Sequence, residues 1–187
     1  LVPTFVGLTG LPEEQRTKAI EGFPGRDFSR LLTNPSTASV HEIRQGVLYN
    51  YLGLGTVDAE YLQAVMDSQM RDSTKQPPIA KASMTKRGLV SSAFDGRYKF
   101  GRYYAPTAFN TPTTLEEIIK ENDAQLFDLH ADPHEMHNLV LAPEKNRELI
   151  LRMNKLLNEL IASEVGVNDG AFLKPLLDGG TLAPGGA

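Results

Sequence analysis

Leu89-Val90-Ser91-Ser92-Ala93-Phe94, Asp95-Gly96 and Arg97-Tyr98-Lys99-Phe100-Gly101-Arg102-Tyr103-Tyr104 form the stretch that decides the fold. Two runs rich in β-branched and aromatic residues flank an Asp-Gly pair, whose tolerance of positive φ suits a tight primed turn, so the stretch reads as a β-hairpin. With Asp95-Gly96 at the turn centre, Ala93 should face Tyr98 and Ser91 should face Phe100. Outward from the hairpin, Gly46-Val47-Leu48-Tyr49-Asn50-Tyr51 and Leu126-Phe127-Asp128-Leu129 read as two further strands. The most regular helix covers residues 143–163, where Leu149, Met153, Leu156 and Leu160 form an apolar stripe widened by Ile150, Leu157 and Ile161, and Gly166 stops it. The expected class is α+β, an antiparallel sheet of about four strands packed on a long C-terminal helix, without internal repeats.

The 187 residues suffice for one domain or an uneven pair. With 41% hydrophobic and 22% charged residues and a mean hydropathy of -0.27, the chain can bury a core, which excludes wholesale disorder and a fibrous protein. A net charge of -4 and a pI near 5.6 argue against a general nucleic-acid binder. No apolar run approaches the roughly 18 residues that a membrane-spanning helix needs. Zero cysteines remove disulfides, thiolate metal sites and thiol nucleophiles. They leave the compartment open, since both the cytosol and the periplasm accept such a chain. The opening Leu1-Val2-Pro3 lacks Met, a basic segment and a long apolar run, so an excised piece is expected. Gly179, Gly180, Pro184, Gly185 and Gly186 give the last residues a composition of a mobile tail.

Elsewhere, Val2 to Leu8 should form a short helix ended by Gly10, and Pro12-Glu13-Glu14 should open a second. Phe23-Pro24-Gly25-Arg26 reads as a turn, with Phe28, Leu31 and Leu32 at helical spacing after it and Asn34-Pro35 ending the run. Thr56 can cap a helix whose stripe of Val57, Tyr61, Leu62, Val65, Met66 and Met70 is most simply core. Residues 75–86 look like a connector, in which Lys81, Lys86 and the adjoining Arg87 have no local acid to balance them. Thr114 and Glu117 have capping-box spacing ahead of inward-pointing Leu115, Ile118 and Ile119.

Candidate chemistry concentrates between Asp128 and Asn138. His130, His134 and His137 alternate there with Asp128, Asp132 and Glu135, a set that one helix face could gather around zinc. Pro133 disfavours helix at Asp132, so His130 would not share a helix with the other two. A backbone reading needs no ligand: Asp132 caps a short turn, Pro133 enters it, and Glu135 returns a hydrogen bond at capping-box spacing. The three histidines are therefore rejected as metal ligands, and Asp132, Glu135 and Asn138 are read as a structural turn. On the hairpin, alternation puts Lys99 on the face opposite Tyr98 and Phe100. A solvated face is the plain account of Arg97, Lys99 and Arg102, and anion contact the sharper one. His41, beside Glu42, has no partner in sequence reach. No nucleophile elbow, phosphate-binding loop or dinucleotide fingerprint occurs.

Four blocks in order resemble the carboxy-terminal third of the sulfatase family: Val2-Pro3-Thr4-Phe5 with Leu8-Thr9-Gly10; Pro24-Gly25-Arg26-Asp27-Phe28 with Leu31-Leu32; Asp95 to Phe100; and Leu126-Phe127-Asp128-Leu129 continued by Asp132-Pro133, Glu135 and Asn138-Leu139. The last block is the most specific. The resemblance reaches from residue 2 to about residue 160 and skips residues 53–87, which look like an insertion. It implies trailing helices of a catalytic domain at residues 1–35, a C-terminal subdomain at 36–166, and a partly disordered tail at 167–187. It also implies, for the intact enzyme, an alkaline-phosphatase-like domain with calcium and a formylglycine nucleophile that hydrolyses sulfate esters. None of the twelve prolines has Cys or Ser two residues before it, and no Asp precedes Asp, Asn or His, so neither the aldehyde precursor nor the paired metal ligands occur in this chain. The fragment is expected to be inactive, with the catalytic domain as its partner and Val2, Phe5, Val6 and Leu8 exposed or self-associated. Lys99, Arg102 and residues 75–87 are expected to offer substrate-side contacts. The alternatives are the same part of a phosphonate monoester or phosphodiester hydrolase, or a non-catalytic binding module.

Overall fold

The computed structural model describes residues 1–23, 25–53, 58–70, 83–108 and 111–166. The chain forms two compact units that divide between Gly46 and Val47. Pro24, Thr56, Val57, Lys75, Lys81 and the expected tail at 167–187 lie outside the described residues.

The first unit holds three short helices, α1 (Val2–Gly7), α2 (Glu13–Ala19) and α3 (Ser29–Thr33), then a 3-10 turn at Pro35–Thr37. Pro3 lies in the first turn of α1, and Gly10 beyond its end has a φ of 75°. Thr4 is buried, and its Oγ1 accepts the Phe28 N–H at 3.3 Å. Asp27 accepts the Ser29 N–H at 2.7 Å at the head of α3, and a Cβ on Gly7 would collide with the Asp27 carboxylate. Glycine at that position is what lets α1 approach the Asp27 turn. Val2, Phe5 and Leu8 are exposed on this unit, and Val6 is half-buried.

The second unit is an antiparallel sheet of four strands in the order β1-β2-β3-β4, with β1 Val47–Leu52, β2 Leu89–Phe94, β3 Tyr98–Tyr104 and β4 Asp123–Asp128. Helix α4 (Ala59–Met70) follows β1, the short helix α5 (Leu115–Glu121) precedes β4, and α6 (Arg147–Glu164) closes the described chain. The α+β architecture with a long C-terminal helix is thus as expected. The core lies between the sheet and the helices: Ala93, Phe100 and Leu126 meet Leu115 and Ile118 of α5 and Ile150, Met153, Leu157 and Leu160 of α6.

Several local expectations shift. The hairpin pairs Ala93 with Phe100, Ser91 with Arg102 and Phe94 with Lys99, so its centre is Gly96-Arg97 rather than Asp95-Gly96. The cause is the Asp95 side chain, which accepts the N–H groups of Arg97 at 2.9 Å and Tyr98 at 2.7 Å, while Asp95 N–H donates to the Tyr98 carbonyl. Positive φ then falls on Gly96 alone, at 98°. Moving the centre by one residue moves every cross-strand pair by two, so each side chain keeps its face.

Helix α6 begins at Arg147 rather than at Pro143. The Asn146 side chain donates to the Leu139 carbonyl at 2.8 Å and the Ala142 carbonyl at 3.1 Å, which holds residues 143–146 in turns after a 3-10 turn at Leu139–Leu141. The buried line of α6 runs through Ile150, Met153, Asn154, Leu157 and Leu160, with Leu149 and Leu156 as half-buried flanks. Gly166 follows with a φ of 95°, its N–H donating to the Ile161 carbonyl.

The capping box of α5 forms as expected between Thr114 and Glu117. Ile119, expected inward, is exposed, because a helix of two turns offers its core face only to Leu115 and Ile118. On α4, Tyr61 and Leu62 are half-buried while Met66 is exposed, so the stripe is not wholly core. Asp58 stands where the cap of α4 belongs and accepts the Tyr61 N–H at 3.3 Å.

Candidate functional site

The two faces of the sheet differ because side chains alternate along every strand. The even-numbered residues of β3 point toward α6 and the odd-numbered ones point away. On the face away from α6, the strand pairing lines up three rows: Val47, Phe94, Lys99 and Phe127; Tyr49, Ser92, Gly101 and Gln125; Tyr51, Val90, Tyr103 and Asp123. These rows, apart from Asp123, floor a shallow cavity of about 510 Å³. Its low centre is Gly101 beside Ser92, and its rim carries the exposed rings of Tyr49, Tyr51 and Tyr103. A concave floor with aromatic walls and a few polar groups is the usual form of a small-molecule site.

Lys99 stands at the end of this floor. Its Nζ is ion-paired with the Glu135 carboxylate and lies 5.8 Å from the centroid of the Phe127 ring. The residue is half-buried, and the Glu135 carboxylate takes one of the three donors of its ammonium. Arg102, expected beside Lys99 on a solvated, substrate-facing surface, is instead 1% exposed and points under α6. It donates to Asn154 Oδ1 and Asn158 Oδ1, each at 3.0 Å, and both asparagines donate onward to the Pro112 carbonyl. Burial pulls the Arg102 guanidinium down to about 10, and its Nε has no acceptor among the described residues. The physical reason is parity: Arg102 shares a face with Tyr98 and Phe100, the core-facing side of β3.

Of the connector cations, Lys86 and Arg87 have acids after all, distant in sequence. Lys86 Nζ lies 2.8 Å from Asp58 Oδ1, and Arg87 pairs with Asp123 and donates to the Lys120 carbonyl at 3.0 Å. The Lys86 hydrogen bond, with the Ser83 and Tyr61 N–H groups, holds the Asp58 carboxyl at about 2. The Ser83 and Lys86 bonds tie this segment to the start of α4, and the Arg87 bonds tie it to the end of α5 and the start of β4.

The segment from Asp128 to Asn138 is a loop whose parts brace the sheet. Asp128 is held by Arg97 through two bonds, at 3.0 Å and 2.6 Å, and that pairing sets its carboxyl at about 2. Asp132 accepts the His137 N–H at 2.7 Å. Burial alone would raise the Asp132 carboxyl, but the Met136 and His137 N–H groups outweigh it and lower it. No helix follows Pro133, which corrects the capping-box reading of Glu135. Glu135 adopts a φ of 55°, unusual for a residue with a side chain, and its carboxylate goes to Lys99 rather than to a backbone amide. Asn138 caps the 3-10 turn through the Val140 N–H and also holds β4: its Oδ1 accepts the Leu126 N–H at 3.0 Å and its Nδ2 donates to the Ala124 carbonyl at 3.2 Å.

His130, His134 and His137 are exposed, and His41 is exposed on the first unit. Among the described residues no three His, Asp or Glu side chains gather to hold a metal ion. These residues therefore do not fit the calcium site that the resemblance implies for the intact enzyme, and no catalytic step is assigned to them. No described helix is long and apolar enough to cross a membrane. The residues that the sequence reading missed are Tyr49, Tyr51 and Tyr103. Their common face on β1 and β3, the strands either side of β2, was the available signal.

No family model matches the chain, and no curated protein matches it. Among solved structures it is similar to that of BT4656 in complex with its substrate D-glucosamine-2-N,6-O-disulfate, with a TM-score of 0.49, 15% identity and coverage of 90% of this chain. The chain spans only 24% of the length of that neighbour.

Proposed function

We propose that this chain is the carboxy-terminal part of a sulfate-ester hydrolase of the sulfatase type, and that it contributes scaffold rather than chemistry. The observation that carries this reading is the ordered set of four sequence blocks together with the work their residues do. Thr4 and Asp27 belong to the two N-terminal blocks and brace the α1–α3 unit. Arg97 and Lys99 of the hairpin block bind Asp128 and Glu135 of the most specific block, and Asn138 of the same block pins β4. Residues from separate blocks are thus partners in space, which a chance match of short motifs would not require.

An aldehyde nucleophile and a divalent cation, the groups a sulfatase uses on a sulfate ester, would have to be supplied by another part of the polypeptide, since no residue of this chain is assigned to hold either. The sheet-and-helix unit would stand beside that centre, with Lys99 and the tyrosine-rimmed floor on one side of the cleft. Incubation of the purified 187-residue chain with an aryl sulfate and calcium is expected to release no sulfate. In the longer polypeptide, Lys99→Ala is expected to raise KM several-fold with kcat little changed. An unchanged KM would remove Lys99 from the cleft.

A further inference from the structure

We propose that β1 is a pairing edge, along which two copies of this chain join antiparallel with Tyr49 of one facing Tyr49 of the other across a two-fold axis. The inference does not rest on the sulfate-ester reading; it follows from how differently the two edges of one sheet are treated.

The outer edge of β4 is plugged. Asn138 offers its amide as a neighbouring strand would offer a peptide, accepting from Leu126 N–H and donating to the Ala124 carbonyl. Asp123 and Asp128 add a charge at each end of that strand, one paired with Arg87 and the other with Arg97. Acids and a side-chain plug are the devices that keep an edge from recruiting another strand. β1 has neither. Its six residues, Val47-Leu48-Tyr49-Asn50-Tyr51-Leu52, contain no charge and no proline, and Val47, Tyr49 and Tyr51 are exposed. Among the described residues no side chain hydrogen-bonds to the β1 backbone. An uncharged, aromatic edge of this length is a template for strand addition.

The pleat selects the partner geometry. Residues directly opposed across an antiparallel pair lie on the same face, so two β1 strands can join only in registers that match like faces. With Tyr49 on the axis, Val47 faces Tyr51 at either side and Leu48 faces Asn50. Aromatic and aromatic–aliphatic pairs of this kind favour antiparallel association. The two sheets become one of eight strands, with both α6 helices on one side and both tyrosine floors continuous on the other. A second copy suits this edge better than an arbitrary peptide because the strand is complementary to itself.

The chain contains no cysteine, so a single introduced thiol reads the register directly. Sedimentation of the 187-residue protein is expected to give a concentration-dependent dimer of twice the 20.5 kDa mass. Tyr49→Cys is expected to form a covalent dimer on mild oxidation that reductant reverses, and Tyr49→Lys to sediment as monomer with an unchanged circular dichroism spectrum. Tyr103→Lys, on the same face but two strands away, is expected to leave the dimer intact. A wild-type monomer throughout would overturn the proposal, as would a dimer that survives Tyr49→Lys, which would place the contact elsewhere. Failure of Tyr49→Cys to cross-link, or equal loss of dimer in Tyr103→Lys, would overturn it in favour of face-to-face stacking.

Discussion

Arg102 shows how a single side chain can be misjudged by its charge. Alternation along β3 already put it on the face of Tyr98 and Phe100, yet the general rule that cations are solvated placed it outside. What reversed the rule was a pair of acceptors more than fifty residues away, Asn154 and Asn158, which no local pattern links to it. Arg102→Ala should destabilise the protein by about 3 kcal/mol, since it leaves a cavity, a buried unpaired oxygen on Asn154 and a half-buried one on Asn158. Urea unfolding checks this: the midpoint should fall with the slope unchanged. Asp128 makes a pH prediction. Its carboxyl is lowered from 3.8 to about 2 in the fold, chiefly by Arg97. A depressed folded-state pKa contributes stability that is complete above the unfolded value and is lost as pH falls from about 4 towards 2. Thermal melts of wild type and Asp128→Asn should therefore differ near neutral pH and converge in that acidic window. A constant gap would show that Asp128 acts without its charge.

Among the elements, those with strong periodicity were legible. The hairpin strands and α6 follow from alternation and from an apolar stripe, because both patterns are local records of which face is buried. Their ends were less legible. The start of α6 is moved by Asn146 donating to carbonyls of the preceding turn, and the hairpin centre is moved by Asp95 accepting two amides ahead of it. Both are side-chain bonds to backbone that residue spacing leaves undetermined. The loop from Asp128 to Asn138 was legible only as structural. The bond of Glu135 to Lys99 and the left-handed φ of Glu135 depend on a strand distant in sequence. The capping box on α5 was readable because its partners lie three residues apart, and Thr114→Ala should cost about 1 kcal/mol in urea unfolding. Leu157→Ala, at the fully buried centre of α6, should cost about 2–5 kcal/mol. Equal losses at the two sites would contradict the assignment of α6 as the main core contributor.

For the whole molecule, the sheet order and the helical cover explain why functional residues were hard to find from sequence. Charge and histidine attract attention, but the histidines are exposed and several cations are spent on bracing: Arg97 on Asp128, Lys99 on Glu135, Lys86 on Asp58. The surface left open is aromatic and amide-bearing, and it is assembled from four strands, so no short motif could reveal it. That division between braced charges and an open aromatic floor is compatible with the scaffold role proposed above. The most direct test of the proposed role is a paired assay of aryl-sulfate hydrolysis with calcium, run on the 187-residue chain and on a longer polypeptide in which it follows the proposed catalytic domain. Sulfate released by the longer polypeptide alone is the predicted result. Release by the short chain, or by neither, would contradict it.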